Sequence, residues 1–217
     1  MDVEAYLGQF SRNFADQKRQ LAEVLARHEG ASYVLRVLRS VGRGAESLDE
    51  YFSPVGCSTG QVDEVRQVWG GSLPASLEAY LLMFGIVPRG IEMPFWIHFP
   101  TILEAKASYE EWRQILIGIR GEDFFDKTGE LYSISPDAFH LGNYGGGKFY
   151  FVYENFGDPE VFVMDEGVEE GCATSTTGLS FPEIVQNAIG SSSSRVQRTL
   201  DSAKSRPPGR GHRLGRG

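Results

Sequence analysis

Carboxylates are the side chains this sequence offers most freely for chemistry. They fall at Glu122-Asp123 with Asp126 close by, and at Asp165-Glu166 with Glu169-Glu170. Two carboxylates facing each other can act as acid and base in glycoside hydrolysis, or can hold a divalent cation. Either role needs the pair to meet across a cleft. Spacing along the chain does not bring these groups together, so they read as solvated acidic surface, with contact to a basic protein as the leading binding role. A second signal is Gly145-Gly146-Gly147-Lys148. A phosphate loop needs Gly-x-x-x-x-Gly-Lys-Ser/Thr running into a helix whose N-terminus meets the phosphates. Here Phe149-Tyr150-Phe151-Val152 follows and continues as a strand, so the glycines read as a hairpin turn. His28, His98, His140 and His212 are scattered. Cys57 and Cys172 form no Cys-x-x-Cys pair and read as free thiols. No serine sits in a nucleophile elbow, and no Cys–His signature is present. Catalysis, a cofactor and a metal site are therefore not expected.

Composition narrows the class further. The chain has 217 residues, 41% hydrophobic and 23% charged, within the range of an ordinary globular protein. It holds 14 Phe, nine Tyr and three Trp, enough aromatic volume for a core, and Trp69, Trp96 and Trp112 read first as core residues. No apolar run approaches the ~18 residues of a membrane span. Met1-Asp2-Val3-Glu4 carries neither a basic nor an apolar leader segment, so the expected location is the cytoplasm. The net charge of −8 is unevenly spread. Residues 191–217 hold seven Lys/Arg against one Asp, which leaves 14 basic and 28 acidic residues, or −14, on the first 190. Such a body repels nucleic acid and attracts basic partners. Only the basic tail could touch phosphates, and weakly.

The elements that must position these groups can be read from periodicity. Val3, Tyr6, Leu7, Phe10, Phe14, Leu21, Val24 and Leu25 recur every three or four residues, which predicts an amphipathic helix over 3–27 with Gly30 as its stop. Val34, Val37, Leu38 and Val41 suggest a second helix. Ser47-Leu48-Asp49-Glu50 fits a capping box, and a loop over 53–60 suggests a boundary. Helices are then expected from Gln61 to Trp69 and after Leu73-Pro74, the latter burying Leu77, Tyr80, Leu81 and Phe84 and stopping at Gly85. Phe95 to Phe99 reads as a strand, 102–117 as a helix behind Thr101-x-x-Glu104, and Asp126 to Gly129 as a turn. Three strands follow: Phe139 to Leu141, Phe149 to Tyr153 and Val161 to Met164, with turns at 143–147 and 156–159. Short links of this kind predict an antiparallel meander. Ser180-Phe181-Pro182-Glu183 is a capping box with Leu179 and Ile184 spaced as a hydrophobic staple, opening a last helix that ends near Ile189. From Ser191 the composition is Ser-rich, then Pro/Gly/Arg-rich, and predicts disorder.

The order of these blocks resembles the SUKH superfamily, which includes the Smi/Knr-type regulators. Leu73-Pro74-Ala75-Ser76-Leu77-Glu78-Ala79-Tyr80-Leu81-Leu82-Met83-Phe84-Gly85 is similar to its Leu-Pro helix, and Leu141-Gly142-Asn143-Tyr144-Gly145-Gly146-Gly147-Lys148-Phe149-Tyr150-Phe151-Val152 to its glycine turn and aromatic strand. Val161 to Asp165 resembles the strand that ends in an acid, and Leu179 to Val185 the closing Ser-Phe helix. The resemblance spans about residues 57 to 189. Phe84-Gly85-Ile86 replaces the usual Asn-Gly-Gly, and Gly147-Lys148 the usual Gly-Asp. It implies an α+β fold, a mainly antiparallel meander with packed helices, for a domain over 57–190; periodicity before it gives a helical extension over 1–56, which has no assigned counterpart in the superfamily, and composition after it a disordered tail over 191–217. It also implies a protein-binding role, typically an immunity protein that neutralises a toxin, often a nuclease. A basic nuclease surface would suit an acidic inhibitor. Expected contacts, chosen for charge and for positions at turns, are Trp96, Glu122, Asp123, Asn143, Tyr144, Asp158, Glu160 and Asp165. A regulatory scaffold binding cellular proteins and a carboxylate hydrolase are the alternative readings.

Overall fold

The apolar stripe at the N-terminus does form one long helix. In the computed structural model, which describes residues 1–27, 47–68, 72–85, 90–91, 93–94, 138–144, 148–153, 158–165 and 173–204, α1 spans Val3–Ala26. At 1.5 Å per residue it is about 36 Å long. Asp2 caps it, with Oδ1 accepting the Ala5 N–H at 2.8 Å, and so satisfies one of the helix's orphan donors. Tyr6, Phe10, Phe14 and Leu21 on one face are buried.

Serine caps set the next helices. In α2 (Leu48–Tyr51) the Glu50 N–H donates to Ser47 Oγ at 3.0 Å. In α3 (Thr59–Val68) the Ser58 N–H donates to Gln61 Oε1 at 2.9 Å, and the Gln61 N–H donates back to Ser58 Oγ at 3.3 Å. This reciprocal box starts α3 two residues before the expected Gln61, inside what the sequence suggested was loop. α4 (Ala75–Phe84) begins after Pro74, whose missing N–H costs nothing there, and stops at Gly85 with φ 64°. The chain crosses itself at that stop. The Cys57 N–H donates to the Leu81 carbonyl at 2.8 Å. A Cβ on Gly56 would overlap the Leu82 carbonyl, and one on Gly85 would overlap the Val55 carbonyl. Arg66 of α3 bridges Asp63 and Glu78, tying α3 to α4.

Four strands form an antiparallel meander in the order β1 (Ala138–Tyr144), β2 (Lys148–Tyr153), β3 (Glu160–Asp165), β4 (Ala173–Ser180). Three of them are the expected strands; β2 and β3 each gain one or two residues, and β1 extends from the expected Phe139 to Leu141 to seven residues. β4 was not anticipated: Thr174, Ser175, Thr176 and Thr177 lack the apolar alternation that marks a strand, yet β-branched threonines suit a pleated surface. Leu141 is an extra residue in β1, between the pairs His140–Phe151 and Gly142–Tyr150. On the other side, Val161 alone stands opposite residues 177–179, because Glu160 pairs with Ser180 and Phe162 with Thr176. Thr177 holds this bulge by donating its hydroxyl to the Val161 carbonyl at 2.7 Å, and Gly178 takes φ 69° within it.

The bulge delivers the chain into α5 (Phe181–Lys204). The Phe181 N–H donates to the Pro159 carbonyl at 2.7 Å, and Glu183 accepts from the Ser180 N–H at 2.7 Å and from its hydroxyl at 2.8 Å. α1 packs against both α4 and α5. The rings of Tyr80 and Phe181 meet edge to face at 5.6 Å, Phe14 and Phe84 likewise at 5.5 Å, and Tyr6 stacks on Phe10 at 5.9 Å. One buried cluster joins these residues to Tyr51, Phe52, Val62 and Val65, and to Leu141, Val152 and Val161 of the sheet. The fold is α+β.

Tyr6, Phe10, Phe14, Leu21, Tyr51 and Phe52 belong to the same cluster as the residues after 56, so the N-terminal helices share one core with the body. One expectation about the elements changes. The helix expected to end near Ile189 continues to Lys204, so disorder from Ser191 is not met over 191–204. Val185, Ala188, Ile189, Val196, Leu200 and Ala203 keep helical spacing through the serine run. The Ser191 hydroxyl donates to the Ala188 carbonyl at 3.0 Å and Arg198 Nε to the Ser194 carbonyl at 3.3 Å. The expected helices over 34–41 and 102–117, the strand at Phe95 to Phe99, the turn at Asp126 and the tail beyond Lys204 lie outside the described residues.

Candidate protein-binding surface

The sheet separates the expected contact residues into two groups. Asn143 and Tyr144 are not in a turn; they close β1, in register with Phe149 and Lys148. The aromatic strand β2 extends the ladder that far, leaving only 145–147 for the link. Asp165 closes β3 and is in register with Lys148 on one side and Ala173 on the other. Tyr144, Lys148, Asp165 and Ala173 therefore form one row across an end of the sheet. Asp158 and Glu160 belong to the other end, where β3 begins. Five residue steps along β3 separate Glu160 from Asp165, about 17 Å at the usual strand rise. Trp96, Glu122 and Asp123 lie outside the described residues, as do Glu166, Glu169 and Glu170.

At the β3 entrance the geometry is defined atom by atom. Asp158 and Glu160 are exposed, flanking the buried Pro159. Glu160 Oε1 accepts from the Thr176 hydroxyl across the strand pair. Ser180 is the register partner of Glu160, and Glu183 folds back onto Ser180. Glu183 is also exposed, and the two bonds from Ser180, the backbone N–H first and the hydroxyl second, hold its carboxyl below the usual glutamate range. Asp158, Glu160 and Glu183 thus belong to adjoining segments, the start of β3, paired with the end of β4, and the first turn of α5. The sequence marked Glu183 only as a helix cap. Its proximity to Glu160 depends on β4, which bears no apolar alternation to announce it.

Among the described residues, Cys57 and Tyr80 are the buried groups with raised pKa values. Cys57 is a free, buried cysteine, and burial pushes its thiol up. The Tyr80 phenol is pushed well above its ordinary range, by burial first and by the neighbouring Cys57 second. Among the described residues, no group of three His, Cys, Asp or Glu is arranged to hold a metal ion. No helix among them is long and apolar enough to cross a membrane. The entrance of β3 presents exposed carboxylates from a bend, a strand start and a helix start, groups that can pair with Lys or Arg side chains.

No family model matches this chain, and neither does any curated protein or solved structure.

Proposed function

We propose that this chain is a non-enzymatic protein-binding domain of the SUKH type that neutralises a basic toxin, often a nuclease in that superfamily, in the cytoplasm of the cell that makes it. The observation that carries this reading is the exposed carboxylate corner of Asp158, Glu160 and Glu183 on a body whose first 190 residues hold a balance of −14. A nuclease needs a basic surface for phosphate, and an acidic inhibitor can cover it. Complementary charge would speed the encounter, and buried contacts would set the residence time. The order of the Leu-Pro helix, aromatic strand, acid-ending strand and Ser-Phe helix supports the same reading.

The test is affinity capture from the native host with the full chain, beside a variant carrying Asp158→Lys and Glu160→Lys. The expected result is a single stoichiometric basic protein whose expression kills cells lacking this chain. The double variant should bind it about tenfold more weakly at low salt, mainly through a slower association rate. Recovery of diverse housekeeping proteins would move the reading to a regulatory scaffold. Equal capture by the variant would place the interface elsewhere on the molecule.

A further inference from the structure

We draw no further inference here: the strongest candidate, the set of buried polar atoms on α1 and α4 that have no hydrogen-bond partner (Tyr6 Oη, Gln9 Oε1, Ser76 Oγ and Tyr80 Oη), sits in the packed aromatic core, and nothing in the structure shows what would bind there.

Discussion

Tyr80 makes two opposing contributions at one position. Its ring is fully buried and packs on Phe84 at 5.4 Å and Phe181 at 5.6 Å. Its hydroxyl is buried without a partner. An unpaired buried hydroxyl is a cost, while the ring that carries it is a gain. Tyr80→Phe should therefore leave the thermal midpoint unchanged or raise it, whereas Phe84→Ala should destabilise by about 3–5 kcal/mol; calorimetry on the two variants checks both. The same burial gives stability a pH dependence. The Tyr80 and Cys57 values are raised in the folded state, so their contribution is complete below the unfolded values, about 10 and about 8.5. It falls at higher pH, because the unfolded chain releases protons that the folded chain retains. Glu183 is lowered, so its contribution is present above about pH 4.3 and is lost as pH falls through its folded value. Urea midpoints across pH 3 to 10.5 should form a plateau with two falling limbs. Glu183→Gln should flatten the acid limb, and Tyr80→Phe with Cys57→Ser the alkaline one.

Elements were legible where a stripe and a cap agreed. α1 carries apolar residues at helical spacing behind Asp2, and α4 carries Leu77, Tyr80, Leu81 and Phe84 between Pro74 and Gly85; both formed close to their expected bounds. β2 and β3 declared themselves through aromatic and β-branched runs. The misses share a cause, which is composition hiding geometry. Ser58-Thr59-Gly60 looks like loop, but its serine closes a reciprocal box with Gln61. The threonine run of β4 has no apolar face, and its pairing depends on β3. The continuation of α5 past Ile189 opens with four serines at 191–194, while its sparse apolar residues keep helical spacing. Charge and turn position were legible for Asp158 and Glu160, which are exposed at the start of β3, while Asn143 and Tyr144, expected in a turn, close β1 because the ladder with β2 runs on to them. Ser194 is exposed in the interior of α5. Ser194→Pro should therefore cost about 3 kcal/mol and reduce the far-ultraviolet helix signal. An unchanged spectrum would mean that helical order ends before this residue.

At the scale of the molecule, the two longest helices among the described residues lie far apart in the sequence and pack together. α1 and α5 have 24 residues each, and α1 also covers α4. A chain starting at residue 28 would lose the cover over Tyr80 and Phe84 and the ring contacts of Phe10 and Phe14 with Phe84. It should show no cooperative thermal transition and a collapsed near-ultraviolet spectrum, while the full chain melts in one step. A cooperative melt of the shortened chain would show instead that the body after residue 27 folds without α1. The α1–α5 pairing also imposes an order on biosynthesis. The ribosome releases α1 before its partner helix, and at about 5–20 residues per second the interval is of order ten seconds. During that time the face bearing Tyr6, Phe10, Phe14 and Leu21 has no completed core to enter. Nascent chains stalled before Phe181 should therefore be clients of ribosome-associated chaperones, and release from the chaperone should coincide with emergence of α5.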